Sequence, residues 1–186
     1  MKMASWELKN PYVWSLMARP KRDVRQYVRS IRSASLLQEP YDGLHVRHGD
    51  KWMEARLIPF KTYLDALDAS HPVKSVWLAT DDVNVIKECT DVKEHTFFHN
   101  AHAIASIGTV NMTVGNFYDQ RASKAGSRTM FFYDTYADID ILVHSNIFVG
   151  STRCKICPPL LSFQTNTLCS AFIWNESNRC HNEKLP

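Results

Sequence analysis

Gly43-Leu44-His45-Val46-Arg47-His48-Gly49-Asp50-Lys51 decides how the rest of the chain is read. A short apolar run, Leu44 and Val46, passes into residues carrying imidazole, guanidinium, carboxylate and ammonium groups. A buried strand that delivers polar side chains to the edge of a sheet has this pattern. In open α/β sheets ligands sit beyond the carboxyl ends of the strands, where an Arg can hold a phosphate through two parallel hydrogen bonds. A strand-to-loop junction is also charged when it is merely solvated. The stretch alone leaves both readings open.

Working outward, Glu39 to Gly43 reads as a turn. Before it, Val24, Tyr27, Val28 and Ile31 fall at helical spacing, with Arg22, Arg25, Arg29 and Arg32 on the other face. This predicts an amphipathic helix packed on the sheet, its arginine stripe facing solvent or an acidic partner. Downstream, Phe60, Tyr63, Leu64 and Leu67 predict a crossover helix over Leu57–Ala69, after Pro59 and before His71-Pro72. Val76–Ala79 reads as a strand with Thr80-Asp81-Asp82 at its end, followed by a helix over Val83–Cys89. Thr96–Phe98 reads as a weak strand. Residues 99–128 lack a period and read as a long loop enclosing a turn of helix, a length at which loops serve as ligand lids or substrate-facing segments. Thr129–Val143 suggests a helix with Asp138 on one face, Asn146–Gly150 a strand, and Pro158-Pro159 the start of another helix. Strands alternating with helices predict an α/β fold with a Rossmann-like parallel sheet. A single domain follows, with a helical lead-in over 1–40, a core over 41–175 and a tail over 176–186.

Bulk properties agree. A chain of 186 residues forms about one domain and buries roughly 70% of its unfolded surface. With 45% hydrophobic and 22% charged residues, it has the composition of an ordinary globular protein. A net charge of +3 permits an anionic ligand and does not suggest nucleic acid, which calls for a clustered basic face. No apolar stretch approaches the roughly 20 residues of a membrane span, and Met1 to Asn10 lacks the apolar core of a signal peptide. Asn111-Met112-Thr113 and Asn175-Glu176-Ser177 are sequons. The five cysteines are an odd number, so at least one thiol is free or pairs with another chain. Cys154-Lys155-Ile156-Cys157, Cys169 and Cys180-His181 invite a zinc reading but lack a second CxxC, and no metal site is expected.

Four blocks in order carry a resemblance. The run from His45 to Lys51, with Glu54, Pro59 and Tyr63 after it, resembles the HxR motif region of the α1,6-fucosyltransferases, the family of the core N-glycan and bacterial nodulation enzymes. Asn10-Pro11-Tyr12-Val13-Trp14 with Arg19-Pro20 resembles the lead-in to that motif. Val76-Trp77-Leu78-Ala79-Thr80-Asp81-Asp82 resembles the second motif. Asp138-Ile139-Asp140-Ile141-Leu142, continuing to Phe148-Val149-Gly150-Ser151, resembles the third. The resemblance implies the GDP-sugar-binding half of a GT-B glycosyltransferase, with GDP-fucose as donor substrate, no cofactor, no metal, and a glycan or glycoprotein acceptor. Eukaryotic members are Golgi enzymes with an N-terminal anchor, so a Golgi location is implied for a full-length protein, while this chain shows no membrane segment.

Transfer of a sugar from a nucleoside diphosphate requires charge stabilisation on the departing diphosphate. A guanidinium matches two phosphate oxygens at once, and the resemblance gives that role to Arg47; an Arg merely pairing with Asp50 is the alternative. The acceptor hydroxyl needs a base. Glu54, helped by Lys51, matches the family pair, with spacing one residue shorter. Asp138 and His45 match the residues that line the guanine pocket, where a carboxylate accepts from ring N–H and amino groups. Tyr63 matches a position near the donor, though a helical Tyr is often core. Asp81 and Asp82 resemble a metal-binding pair but also suit helix capping and the orientation of Arg47 or Lys51; together with Asp50 they are expected to hold the motif in place. Ser151, Thr152 and the amides that follow suit phosphate, and Cys154 stands where the family presents a phosphate-binding Ser.

The resemblance therefore implies inverting, metal-independent transfer of fucose from GDP-fucose to a glycan hydroxyl, α1,6-linked. The rivals are a non-catalytic nucleotide-sugar-binding remnant, a peptide O-fucosyltransferase, and a zinc-stabilised interaction module.

Overall fold

The computed structural model describes residues 20–49, 56–68, 74–107, 126–151 and 169–173. In chain order the elements are α1 (Arg22–Ser35), β1 (Asp42–Val46), α2 (Phe60–Asp68), β2 (Ser75–Thr80), α3 (Val83–Cys89), β3 (Thr96–Phe98), α4 (Ala101–Ile107), α5 (Arg128–Val143), β4 (Ile147–Ser151) and β5 (Cys169–Ile173). The five strands form one sheet in the order β3-β2-β1-β4-β5, and every neighbouring pair is parallel. The chain thus lays β2 and β3 to one side of β1, then crosses over to lay β4 and β5 on the other. This is the α/β, Rossmann-like parallel sheet that the alternating pattern predicts, and it puts a topological switch point between β1 and β4.

Strand side chains alternate between faces, and here both faces are covered. Leu44, Val46, Val76, Leu78, Ile147 and Val149 form one core with Phe60, Tyr63 and Leu67 of α2 and Val85 and Cys89 of α3. Trp77, Ala79 and Phe148 point the other way and meet Ile141 and Leu142 of α5, together with Tyr41. A strand buried on both faces has to be apolar at nearly every position, which is why Val76-Trp77-Leu78-Ala79 reads as a continuous run.

The lead helix differs from expectation. Val24 and Val28 of α1 are buried against Tyr136 and Ala137 of α5, so α1 forms a layer over a helix and only Ile31 also reaches the cluster on the sheet. Periodicity specified the buried stripe; its partner came from the crossover that sets α5 on the sheet first. Arg32 likewise leaves the solvated stripe, with Nη2 donating to Glu39 at 2.8 Å and to the Tyr41 hydroxyl at 3.0 Å. Tyr41 Oη in turn donates to the Ile141 carbonyl at 2.9 Å. Burial raises the Tyr41 phenol far above its usual range, so it stays a donor.

Other elements match their predicted spans within one to three residues, and α3 and β3 match to the residue. Of the segment 99–128, expected to be a long loop enclosing a turn of helix, Ala101–Ile107 is α4, and residues 108–125 lie outside the described residues. The strand β5 has no counterpart in the sequence reading, and the helix expected after Pro158-Pro159 lies outside the described residues. No described helix is long and apolar enough to cross a membrane.

Gly43 of β1 lies close against the carboxyl end of α5 and the turn that follows it. A Cβ built there would lie 2.7 Å from Ser145 Oγ and 2.9 Å from Leu142 Cδ2, so α5 can seat on the sheet only over a glycine. Gly43→Ala is expected to destabilise the fold by about 1–3 kcal/mol through overpacking, measured as a lower urea midpoint with an unchanged m-value.

Candidate functional site

The site begins where β1 and β2 end side by side, with Val46 in register with Thr80. Asp81 follows and is buried, 6% exposed. Its Oδ1 accepts hydrogen bonds from the backbone N–H groups of His48 at 2.8 Å and Gly49 at 2.9 Å. Its Oδ2 faces Arg47 Nη1 at 3.5 Å, an ion-pair contact longer than a hydrogen bond. A buried carboxylate costs several kcal/mol to desolvate; two amides and a guanidinium offset that cost here and fix the turn after β1 in return.

The neighbouring carboxylate works on the other side of the same turn. Asp82 Oδ1 accepts from Asn84 N at 2.9 Å and caps α3. Its Oδ2 stands 3.1 Å from His48 Nδ1, and His48 Nε2–H donates to the Ile58 carbonyl at 2.7 Å. Asp81 and Asp82 thus hold the turn that carries Arg47 and His48, and Asp82 also caps α3. Among the described residues no group of three or more metal-ligating side chains occurs.

Arg47 opens on a cleft of about 80 Å³. His45, Ala79 and Thr80 floor it beside Arg47 and Asp81, and Phe131, Thr135, Asp138, Ile139 and Leu142 of α5 wall it, with Ala103 of α4 at one end. The cleft exists because β2 steps from large to small: Trp77 fills the space beneath α5, and Ala79, one pleat further, leaves it open. A nucleotide-sized ligand needs several hundred Å³, so this volume suits one end of such a ligand. Ser151 ends β4 and is buried, one residue past Gly150, which pairs with His45.

Of the residues singled out in the sequence, the structure thus brings His45, Arg47, Asp81 and Asp138 to one cleft, with Asp82 behind them and Ser151 on the adjoining strand. Asp50, Lys51, Glu54, Thr152 and Cys154 lie outside the described residues. Tyr63 is elsewhere: it is 1% exposed, in the core on the face of the sheet opposite the cleft. Its position at helical spacing with Phe60 and Leu67 makes it a packing residue, correcting its expected place at the donor.

A polar group that the sequence reading missed centres on α5 between Phe131 and Asp138, which line the cleft. Asp134, 1% exposed, accepts from Tyr27 Oη at 2.6 Å and Asn100 Nδ2 at 3.1 Å through Oδ1, and from His102 Nδ1 at 2.7 Å through Oδ2. Burial, and then the bond to Asp134, push the Tyr27 phenol well above its usual range. Asn100 Oδ1 also accepts from the backbone N–H of His102 at 3.1 Å. The one signal available was Asp134 standing four residues before Asp138, which puts both on one side of a helix.

No protein-family profile matches the chain, and no curated protein matches by sequence. Among solved structures the fold is similar to that of the fucosyltransferase NodZ from Bradyrhizobium, at 10% identity and a TM-score of 0.50 over 89% of this chain and 49% of that one. A structure of NodZ α-1,6-fucosyltransferase soaked with GDP-fucose aligns at 12% identity and a TM-score of 0.46 over 87% of this chain and 47% of that one. The chain spans about half the length of these enzymes. At 10% identity the first of these likenesses shows a fucosyltransferase-like fold and no more.

Two outcomes test the site. Asp81→Ala strands two buried N–H groups and a guanidinium, and is expected to cost about 2–4 kcal/mol in urea unfolding, with Asp81→Asn costing less because one acceptor oxygen remains. His99, beside Asn100, has its imidazole pKa lowered by burial below the ordinary 6.5. The unfolded chain then takes up a proton that the folded chain refuses, so stability present above pH 6.5 is lost as pH falls through the lowered folded value. His99→Gln is expected to show a smaller drop in urea midpoint between pH 8 and pH 5.5 than the native chain.

Proposed function

We propose that this chain binds a guanosine diphosphate sugar at the carboxyl ends of β1 and β4 and belongs to an enzyme that transfers fucose from it to a glycan hydroxyl. The observation that carries the proposal is the pose of Arg47: a guanidinium held against the buried Asp81 at the switch point, opening on the same cleft as His45 and Asp138. A planar cation there suits a diphosphate, and a carboxylate deeper in the cleft suits the ring N–H and amino donors of guanine. The motif resemblance and the fucosyltransferase-like fold support the same reading.

In this reading the acceptor hydroxyl oxygen attacks the anomeric carbon of fucose as the bond from that carbon to the β-phosphate oxygen breaks. GDP leaves with the electron pair, its charge met by Arg47 and by Ser151, Thr152 and the amides after β4. The hydroxyl proton passes to Glu54, helped by Lys51. No metal is required, since fixed cations and amides supply the counter-charge. Attack opposite the leaving group inverts the anomeric centre, and α1,6 linkage and a Golgi setting follow the resembled family. The second reading, a nucleotide-sugar-binding domain without turnover, draws on Cys154, which replaces a phosphate-binding hydroxyl.

Calorimetric titration of GDP in excess EDTA tests the donor site. The native chain is expected to bind and Arg47→Ala to lose about 30-fold or more in affinity, the equivalent of roughly 2 kcal/mol for charge-assisted bonds. Equal binding by both chains would remove the diphosphate from Arg47. Release of fucose from GDP-fucose then separates the enzyme from the binding domain.

A further inference from the structure

We propose that His102 is a ligand-binding residue of the nucleotide cleft, presenting Nε2 as a fixed acceptor to a ribose hydroxyl or the exocyclic amino group of the guanine nucleoside; the inference rests on the nucleotide reading above. On α5, Asp134 is three residues after Phe131 and four before Asp138, both cleft-lining, so it stands at the edge of the same helical face. The His102 ring is 2.7 Å from Asp134 and the next residue, Ala103, lines the cleft, so we place the ring beside the cleft.

The ring is held from two directions. Asn100 Oδ1 binds the backbone N–H of His102, and the Asp134 carboxylate accepts from Nδ1. Tyr27 and Asn100 also donate to that carboxylate. An ionised carboxylate only accepts, so Nδ1 carries the proton and, in the neutral ring, Nε2 carries the lone pair. Asp134 is buried, whereas the His102 side chain is 46% exposed. Three donors from separate segments thus converge on a carboxylate whose outward contact is one imidazole of fixed tautomer. Preorganised acceptors of this kind recognise donors at little ordering cost, and nucleosides offer them in the ribose hydroxyls and the exocyclic amino group of guanine.

The deciding variant is His102→Asn in the full chain. An Asn amide occupies the Cγ–Nδ1 part of the imidazole, so it keeps a donor for Asp134 and removes only the Nε2 acceptor. Calorimetry would use GDP, inosine diphosphate, which lacks the 2-amino group, and 2′-deoxy- and 3′-deoxy-GDP. The expected result is about tenfold weaker GDP binding by the variant, with one analogue binding both chains equally because it lacks the donor that Nε2 receives. Unchanged GDP affinity, or an equal loss for GDP and all three analogues, would overturn the assignment of His102 and leave the nucleotide reading standing. A folded native chain that binds no GDP would overturn that reading and this one together.

Discussion

The carboxylate of Asp81 is what the rest of the site depends on. It has to be buried, because it stands at the end of a strand covered on both faces, and a buried charge has to be matched. The match comes from two consecutive amides after β1 and from Arg47. One interaction therefore joins the ends of two strands, sets the path of the chain leaving the sheet and directs a cation toward the cleft. A guanidinium already held by a buried carboxylate costs an incoming ligand less to order.

The cleft is a consequence of packing and not a feature added to it. Alternation places Trp77 under α5 and small Ala79 beyond it, while Gly43 lets the carboxyl end of the same helix descend onto β1. The helix is seated firmly at one end and held off the strands by a gap near Asp138. Polar residues collect in that gap because backbone and side chains at strand ends need partners that the apolar layers lack.

How much of this was legible in the sequence depended on whether a feature was local. Asp82 caps α3 from the adjacent position, and α3 could be read to the residue. His45, Arg47 and Asp138 were assigned to one site through motifs that resemble those of the α1,6-fucosyltransferases, since their spacing alone fits a solvated strand end and helix face equally well. Cys169–Ile173 has no such pattern of its own, and its strand state comes from pairing with β4. Likewise α1 showed its buried stripe but not that a helix would cover it. Asn100, His102 and Asp134 looked like ordinary solvated residues, since what joins them is a contact between positions more than thirty residues apart. Tyr63 shows the converse: its surroundings in the sequence suggested a ligand, and its place on α2 turned it to the core.

The strand order also has a consequence for biosynthesis. On one side β1 pairs with β4, Gly43 opposite Phe148, so the strand that ends up near the centre of the sheet is made about 100 residues before one of its two neighbours. At ribosomal rates of about 5–20 residues per second this interval is on the order of 5–20 s. During it β1 has only β2 beside it, and its other edge offers unpaired amides and carbonyls to any strand it meets. The nascent chain passes through a stage in which its middle strand has one edge uncovered, a window for chaperone engagement that closes when Ile147–Ser151 arrives.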